Sequence, residues 1–477
     1  MKTVKNIASK SEDITQWYTD VCLKAELMDY ASTKGFIVYR PDGYSLWEEI
    51  KNYLDKRFKD LGVRNVYLPS LIPMSLLNKE KDHIKGFAPE CAVITRGGNK
   101  TLQEEMVVRP TSETLFCDHF KDILHSYNEL PILYNQWCSV VRWEKTTRPF
   151  LRGSEFLWQE GHTLHKDENE ARAFALSILR IYSELGRNLL AIPFVIGEKS
   201  ASEKFAGAVS TYCIEALMPD GQALQCGTTH YLGTGFSKAY DIKYTNKENQ
   251  IEYPHYTSWG VSTRLLGALI MVHGDDNGLV LPPKVAPTQV VIIPVKAESD
   301  PNILKTCKEL YETLKKDNIR VILDDSNKTP GWKFSQYEMK GVPLRIEIGP
   351  KDIFNSSCMA SIRYSYEKKI LPLENISKTV SDLLSDIQEK MYQKANELLT
   401  SKIFECHNRE EIDKVLKNHE GFAKIISSED EAEDEQYMKE KYSATPRVIP
   451  FNQIMFQEED SITGKKGKKV IYYARAY

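Results

Sequence analysis

A long amphipathic pattern near the start of the chain follows Tyr44-Ser45-Leu46-Trp47-Glu48. Ser45 and Glu48 have the spacing of a capping box, and Gly62 follows the last apolar position. The pattern therefore predicts a helix that opens at Ser45 and stops at Gly62. The apolar run 66–69 predicts a strand directly after this helix. The apolar positions of the helix are Leu46, Ile50, Tyr53, Leu54, Phe58 and Leu61.

Three regions of the chain differ in pattern, and we interpret them as three domains. Residues 1–286 mix short apolar strands with amphipathic helices, which predicts one large α+β domain. A proline-rich stretch at 282–287 predicts a linker, because proline removes backbone donors and favours extended chain. Residues 287–378 predict a compact α/β domain with a largely parallel sheet. Its predicted strands are 289–295, 319–323 and 342–348, and its predicted helices are 303–314 and 332–339.

Residues 379–477 are predicted to form a small α+β C-terminal domain. An apolar stripe at helical spacing opens it and predicts a packing helix. An acidic cluster and the basic run 464–469 predict solvated loops or faces. The stripe consists of Val380, Leu383, Leu384, Ile387, Met391, Ala395, Leu398 and Leu399, and the acids are Glu429, Asp430, Glu431, Glu433, Asp434 and Glu435.

Composition narrows the classes of protein that this chain can represent. Of its 477 residues 42% are hydrophobic and 27% charged, and no apolar run approaches the roughly 20 residues that span a bilayer. The first residues resemble neither a secretory signal nor an arginine-rich transit peptide, so a cytoplasmic protein is expected. Nine cysteines without a CxxC pair argue against disulfides and a local zinc knuckle. The net charge of -3 requires any nucleic-acid contact to use local basic patches.

The segment Arg109-Pro110-Thr111-Ser112-Glu113 carries a hydroxyl and a carboxylate two residues apart. Together these groups could accept both N–H donors of a secondary ammonium, such as that of proline. Alternatively, Thr111 caps a helix and Glu113 is a first-turn acid stabilised by the helix dipole. By itself the segment favours the helix start.

Residues 141–162 are the most informative stretch, because two apolar runs flank a short basic loop and predict two joined strands. Cys226 within 225–230 is interpreted as pocket lining, since no His or Cys partner has metal-ligand spacing. Arg264 falls in the first turn of an apolar helix, where a cation opposes the dipole unless an anion such as phosphate lies there. The strings are Val141-Arg142-Trp143-Glu144, Arg148-Pro149-Phe150-Leu151-Arg152, Phe156-Leu157-Trp158-Gln159-Glu160-Gly161-His162, Gln225-Cys226-Gly227-Thr228-Thr229-His230 and Trp259-Gly260-Val261-Ser262-Thr263-Arg264.

Taken together, these strings resemble those of prolyl-tRNA synthetases, and the resemblance spans nearly the whole chain. It implies a class II catalytic domain built on an antiparallel sheet, an α/β anticodon-binding domain and a small C-terminal domain. The implied activity is activation of L-proline by ATP to prolyl-adenylate, followed by transfer to tRNA(Pro). The helix and strand at 45–69 resemble motif 1 of class II enzymes, which implies a homodimer.

The same resemblance implies roles for individual residues. Arg142 and Arg264 are the implied catalytic cations, and Arg142 is placed to neutralise charge as the carboxylate attacks the α-phosphate. Magnesium is implied with ATP, without a protein ligand that stands out. The implied proline pocket is Thr111, Glu113, Arg142, Trp158, His162 and His230. The implied ATP site is Arg142, Glu144, Arg152, Phe156, Gln225, Thr228, Ser262 and Arg264.

Residues 330–334 and 340–352 resemble the anticodon-binding domain that the prolyl, threonyl, histidyl and glycyl enzymes share. Prolyl anticodons contain adjacent guanines, whose edges suit Arg or Lys donors and a carboxylate acceptor. Arg345, Glu347 and Lys351 are therefore the implied anticodon-binding residues.

The chain departs from the family pattern at two places. The C-terminal string Tyr472-Tyr473-Ala474-Arg475-Ala476-Tyr477 resembles that of the archaeal and eukaryotic type of the family. Many such relatives hold zinc with four cysteines in the C-terminal domain, whereas no cysteine follows Cys406 here, so zinc is not expected. The segment 163–256 leaves no room for the large editing insertion of typical bacterial enzymes, which predicts misactivation of cysteine or alanine. Two alternatives remain: another class II synthetase, such as a threonyl or seryl enzyme, and a synthetase-like protein that binds tRNA or regulates without catalysis.

Overall fold

The computed structural model describes residues 7–79, 91–429 and 431–477, so Asp430 of the predicted acidic cluster lies outside the described residues. The helices there are α1 (Ile14–Lys24), α2 (Pro41–Asp60), α3 (Met74–Leu77), α4 (Glu113–Ile123), α5 (Glu168–Leu185), α6 (Gly235–Ala239), α7 (Arg264–His273), α8 (Pro301–Lys316), α9 (Pro330–Met339), α10 (Pro350–Phe354), α11 (Ile376–Ser401), α12 (Arg409–Lys417) and α13 (Ala432–Tyr442). The strands of the first region are β1 (Met28–Tyr30), β2 (Ile37–Tyr39), β3 (Arg64–Asn65), β4 (Leu71–Pro73), β5 (Ala92–Gly97), β6 (Lys100–Val108), β7 (Ile132–Val141), β8 (Glu155–His165), β9 (Val195–Glu198), β10 (Ser210–Leu217), β11 (Ala223–Gly233), β12 (Tyr244–Thr245), β13 (Ile251–Glu252) and β14 (His255–Ser262). Those that follow are β15 (Val290–Pro294), β16 (Val321–Leu323), β17 (Leu344–Ile348), β18 (Ser357–Ile362), β19 (Lys368–Pro372), β20 (Ile403–Glu405), β21 (Phe422–Ser427), β22 (Thr445–Pro450) and β23 (Lys469–Ala474).

The largest sheet contains eleven strands in the order β20-β21-β23-β22-β9-β10-β11-β14-β8-β7-β3. Neighbouring strands of this sheet are antiparallel, except that β3 runs parallel to β7 and β20 runs parallel to β21. Apolar side chains of α1, α2, α5 and α7 pack against one another and against this sheet in a single buried cluster. The prediction of an α+β first region on an antiparallel sheet is confirmed.

The helix predicted from Ser45 begins four residues earlier, at Pro41. Proline suits this position because the first N–H groups of a helix have no intrahelical acceptor. Ser45 and Glu48 therefore lie inside the helix, and their predicted capping box is wrong. The predicted stop is confirmed, since Gly62 follows the helix with a φ of +85°.

The strand predicted at 66–69 is displaced towards the N-terminus. Arg64 and Asn65 pair with β7, and the Val66 N–H still donates to the Asn135 carbonyl at 2.8 Å. Beyond this point the chain leaves the ladder, and the Leu68 N–H donates to the Gln136 side chain instead.

The second region forms a five-stranded sheet in the order β16-β15-β17-β18-β19. The parallel arrangement that we predicted covers only β16, β15 and β17, whereas β18 and β19 are antiparallel. A five-residue turn at 363–367 joins these last two strands, too short for a parallel crossover. The first part of the stripe on α11, from Val380 to Met391, packs in the same cluster as β15 and β17. Leu399 packs instead against side chains of the eleven-stranded sheet, and Leu398 is 48% exposed.

The strands of the C-terminal region extend the catalytic sheet instead of forming a separate layer. In the register of β22 with β9, Ile449 lies opposite Glu198 and Pro450 opposite Gly197. A Cβ atom on Gly197 would lie 2.1 Å from the Ile449 carbonyl oxygen, so this close approach requires glycine.

Three residues of the acidic cluster, Glu433, Asp434 and Glu435, lie in the first turn of the helix α13. Asp434 is fully buried there and accepts a hydrogen bond from the Ser427 hydroxyl. The predicted solvated face is therefore wrong for this residue. Within the three described ranges, no helix combines the length and apolarity that a bilayer crossing requires.

Candidate active site

A cavity of about 290 Å³ opens over the central strands β8, β10, β11 and β14. Both arginines predicted to act in catalysis line it, and so do all the predicted proline-pocket residues. The predicted residues that line this cavity are Thr111, Glu113, Arg142, Phe156, Trp158, His162, Gln225, Thr228, His230, Ser262 and Arg264.

Strand alternation places several of these side chains on one face. Phe156, Trp158, Glu160 and His162 of β8 are spaced by two residues, so all four point to the same side of the sheet. In the registers of the three central strands, Ser258 of β14 lies opposite His162 of β8 and His230 of β11. Residues that are far apart in sequence thus meet at one level of the sheet.

The acidic side of the cavity is built at the start of α4. Glu113 is the first residue of this helix, and Ser112 occupies the N-cap position. The Thr111 hydroxyl donates to the Glu113 carboxylate, and both residues are buried. Thr111 therefore precedes the cap, and the helix start itself presents the hydroxyl and the carboxylate to the cavity.

Glu160 is a cavity residue that the sequence analysis did not select. Its carboxylate is buried and accepts hydrogen bonds from the Ser112 N–H at 3.1 Å and the Gln136 amide at 2.6 Å, and it contacts His162 Nε2 at 3.2 Å. Burial by itself would raise the pKa of Glu160, but these partners, His162 first, hold that pKa below its usual value. Its position between Trp158 and His162 in the strand alternation was the available signal.

The two histidines of the cavity are hydrogen-bonded and enclosed by aromatic rings. His162 Nδ1 lies 2.6 Å from the Tyr256 hydroxyl. His230 Nδ1 lies 2.9 Å from the Thr211 hydroxyl, and the Phe205 ring packs on the imidazole at a centroid distance of 4.6 Å. Burial, with a smaller contribution from His162, lowers the pKa of His230 to about 3. His230 is therefore a neutral, polar wall at physiological pH.

Two guanidinium groups supply the positive charge of the cavity. Arg142 donates to the Pro110 carbonyl at 3.1 Å, and its guanidinium lies 5.5 Å from the Phe156 ring and 5.3 Å from the Trp158 ring. Arg264 donates to two carbonyls at 3.2 Å, and burial lowers its pKa. Both groups are thus oriented before any ligand arrives, which favours a ligand with several anionic oxygens.

Glu144 and Arg152 do not line the cavity and contact each other instead. Arg152 Nε lies 3.2 Å from a Glu144 carboxylate oxygen, and the arginine side chain is 54% exposed. Their predicted roles at ATP would require them to exchange this contact for the nucleotide.

Cys226 lies in the wall of the cavity, in agreement with its interpretation as pocket lining. Burial raises the pKa of its thiol, so the thiolate that nucleophilic chemistry needs is disfavoured.

The predicted anticodon residues lie in the second region, outside this cavity. Arg345 donates to Glu347 at 2.9 Å and to Glu338 at 3.1 Å, and its guanidinium lies 4.1 Å from the Phe334 ring centroid. Lys351 is exposed near the start of α10. Arg345 and Glu347 therefore form a connected pair, whereas Lys351 stands on the neighbouring helix.

Further side chains complete the cavity wall without having been selected from the sequence. Glu203 and Phe205 come from the segment between β9 and β10, and Thr211 and Ser258 come from β10 and β14. No short motif marks these residues, because their proximity depends on strand order.

Comparison with known proteins gives matches along most of the chain. Residues 96–273 match the tRNA synthetase class II core domain (G, H, P, S and T). Residues 289–383 match the anticodon binding domain, and residues 409–477 match the prolyl-tRNA synthetase C-terminal domain.

Similar curated proteins cover the full length of the chain. Proline--tRNA ligases of Clostridium botulinum, Ruminiclostridium cellulolyticum and Lachnoclostridium phytofermentans are each 52% identical to it. Each alignment covers 100% of this chain and 99% of the relative. On this evidence the chain belongs to the prolyl-tRNA synthetases of class II, a family of aminoacyl-tRNA ligases.

Proposed function

We propose that this synthetase activates L-proline with ATP and transfers the prolyl group to tRNA(Pro). The observation that carries the proposal is the pairing of two kinds of charge in one cavity. The Arg142 guanidinium lies against the rings of Phe156 and Trp158, near the start of β8. Further along this strand, the Glu160 carboxylate contacts His162 and accepts a hydrogen bond from Ser112 at the start of α4. A secondary ammonium suits the Thr111 and Glu113 oxygens, and phosphate oxygens suit the guanidinium groups.

The reaction that we propose has two steps. First, a proline carboxylate oxygen attacks the α-phosphorus of ATP and pyrophosphate leaves, while Arg142 neutralises charge on the phosphoryl oxygens. Then the terminal ribose hydroxyl of tRNA attacks the prolyl carbonyl, and AMP leaves. Arg264 holds the nucleotide through adenine and the γ-phosphate, and Glu144, Arg152, Phe156 and the 225–228 strand complete the ATP site.

Magnesium is proposed to enter with ATP. Mg²⁺ is usually bound by substrate phosphates, waters and one or two carboxylates and not by a dedicated protein cage. In the described part of the chain, no group of three or more His, Cys, Asp or Glu side chains could hold a metal ion. The donor set of the cavity is thus compatible with an ion that the phosphates carry. We do not expect zinc, since no cysteine follows Cys406.

The remaining proposals concern partners. Arg345, Glu347 and Lys351 are proposed to contact the anticodon guanines, for which a base must compete with the existing contact between Arg345 and Glu338. We also infer a homodimer, for which the 70% exposed Tyr67 beside β3 offers an apolar contact. We also propose a cytoplasmic location, where ATP and tRNA are available to the enzyme.

Amino-acid-dependent ATP–pyrophosphate exchange over the twenty amino acids tests the proposed function. Exchange should be fastest with proline and should require Mg²⁺. Exchange with threonine or serine and none with proline would favour the other class II specificities. Absence of exchange with every amino acid, together with tRNA binding, would favour a synthetase-like binding protein.

We further infer that this enzyme misactivates cysteine or alanine. A pocket that excludes a smaller substrate by fit alone discriminates by about 10- to 200-fold per methylene. Between β8 and β14, residues 166–254 form α5, β9, β10, β11, α6 and the β12–β13 pair, and three of these strands belong to the catalytic sheet. The same exchange assay, with cysteine and alanine titrated separately, should give measurable rates. Rejection of both far beyond this range would contradict the inference.

A further inference from the structure

A buried charge cluster joins the C-terminal region to the catalytic sheet. The carboxylate of Glu215 is fully buried on β10 and accepts hydrogen bonds from Lys199 at 2.6 Å and from Arg447 at 2.9 Å. Lys199 also donates to the Arg447 carbonyl at 2.8 Å. Removal of one partner from a buried charge cluster strongly destabilises the folded protein, because a charge is then left buried without full compensation.

The backbone of β22 in the C-terminal region positions Arg447 beside Glu215 of the catalytic sheet. The register of β22 with β23 shifts between Pro446 and Val448, so Arg447 occupies an irregularity in the ladder. Bulges of this kind redirect a side chain. The close pairing of β22 with Gly197 brings the redirected guanidinium against the catalytic sheet.

From this cluster, the segment 199–205 leads directly into the cavity wall. The Lys199 N–H donates to the Thr211 carbonyl at 2.8 Å, and the Phe205 N–H donates to the Thr211 hydroxyl at 3.0 Å. Glu203 lies between these two anchors, 3.9 Å from Arg447, and it lines the cavity together with Phe205 and Thr211.

The amino-acid side of the cavity depends on the same segment. Phe205 packs on His230, and Thr211 holds the Nδ1 atom of His230. A displacement of the segment would therefore move a hydrophobic wall and release a histidine contact. The hydrogen bonds of Arg264, in contrast, go to the carbonyls of Leu151 and Gln225, which lie outside this segment.

We propose that Arg447 is a positioning residue, which holds segment 199–205 in place and thereby sets the fit of the amino acid. The C-terminal region then acts in substrate selection without contacting the substrate through this residue. This inference rests on the proposed function, because its first test measures proline-dependent ATP–pyrophosphate exchange.

The test compares two arginine substitutions in the full-length enzyme. Arg447→Met should raise KM for proline by roughly 10- to 100-fold, the effect of a misplacement of about 1 Å, and leave KM for ATP nearly unchanged. Arg447→Lys keeps the charge beside Glu215 and should show a smaller rise in the same direction. Arg409→Met is the control, since Arg409 binds the Ile462 carbonyl within the C-terminal region.

Equal KM values for proline in the Arg447→Met and Arg409→Met enzymes would overturn the proposal. An equal rise of KM for both proline and ATP would also overturn it, because it would show general loss of structure. If Arg447→Met does not fold, Arg447→Lys decides by the same ratio of the two KM values, and an unchanged ratio rejects the proposal. Failure of the wild-type enzyme to exchange with proline would instead reject the proposed function.

Hydrogen exchange gives an independent readout. The amides of Lys199 and Phe205 should exchange faster in Arg447→Met than in Arg409→Met, while those of β14 stay protected. Unchanged protection of segment 199–205 would contradict the proposal even if KM changed.

Discussion

The hydroxyl of Thr111 and the carboxylate of Glu113 form the acidic side of the cavity at the first turn of α4. Glu113→Gln removes the negative charge but keeps the size of the side chain. A charge-assisted hydrogen bond contributes about 1.5–3 kcal/mol, so KM for proline should rise roughly 10- to 100-fold. Exchange kinetics with proline titrated at saturating ATP measure this effect. KM for ATP serves as the internal control, and an unchanged KM for proline would contradict the ammonium contact.

Glu160 is a second residue whose charge matters, although it was found only in the structure. Its two oxygens accept hydrogen bonds from the Ser112 N–H and the Gln136 amide. In glutamine an NH2 group replaces one of these oxygens and would face a donor instead of accepting from it. Glu160→Gln should lower the free energy of unfolding by about 1–3 kcal/mol and raise KM for proline. Urea unfolding measures the free energy of unfolding, and ATP–pyrophosphate exchange with proline titrated measures KM. Glu155→Gln at the start of the same strand is the matched control, and equal effects of both substitutions would contradict this role.

At this scale, the resemblance of short strings to those of the family selected residues that the structure brings together. Arg142, His162, His230 and Arg264 were selected from local strings, and all four line one cavity. Glu203 could not be selected in this way, because its segment reaches the cavity only through contacts with β10 and β22.

At the scale of secondary-structure elements, the joint between β9 and β22 makes a direct prediction. In Gly197→Ala the new methyl group would lie 2.1 Å from the Ile449 carbonyl oxygen, so the two strands must separate. Hydrogen exchange across 445–450 should then become faster, and KM for proline should rise as in Arg447→Met. Gly331→Ala on α9 is the control, since an added Cβ there meets no atom within 4 Å. Equal protection in both variants would contradict the close approach.

The elements that sequence periodicity located well are those whose apolar stripe is long. α2, α8 and α11 were all predicted, because 3.6-residue spacing persists over many turns. The predicted boundaries were less accurate than the predicted helices themselves. α2 begins at Pro41 without a side-chain cap, four residues before the predicted start, and β3 is only two residues long. A strand this short is defined by its partner β7, which a local pattern does not contain.

At the scale of the whole molecule, buried neutral histidines make folding sensitive to acid. Burial lowers the pKa of His165 from 6.5 to about 4, and the ring is 1% exposed. Between these values the unfolded chain binds a proton that the folded protein excludes, so stability decreases as the pH falls from 6.5 to 4. Near pH 5.5 this group contributes a slope of about 1 kcal/mol per pH unit.

His165→Gln removes this contribution and tests it. The variant should be less stable at pH 7.5, because the contact between His165 and Thr163 is altered, but its stability should fall less steeply between pH 6 and pH 5. Urea unfolding at half-unit pH steps measures both slopes. Parallel slopes for the two proteins would show that His165 is not buried in its neutral form.

The chain alone was enough to predict the α+β class, the two strands around the basic loop and three charged residues of the cavity, namely Glu113, Arg142 and Arg264. The class and the strands follow from local spacing, since a helix periodicity or a strand alternation is set by neighbours in sequence. The three charged residues were selected through the resemblance of their strings to those of prolyl-tRNA synthetases. The continuity of the C-terminal strands with the catalytic sheet, the burial of Asp434, and the contacts of Glu160, Glu215 and Arg447 became visible only in three dimensions. Each depends on which strands lie side by side, and strand order results from packing of the whole chain and not from any local pattern.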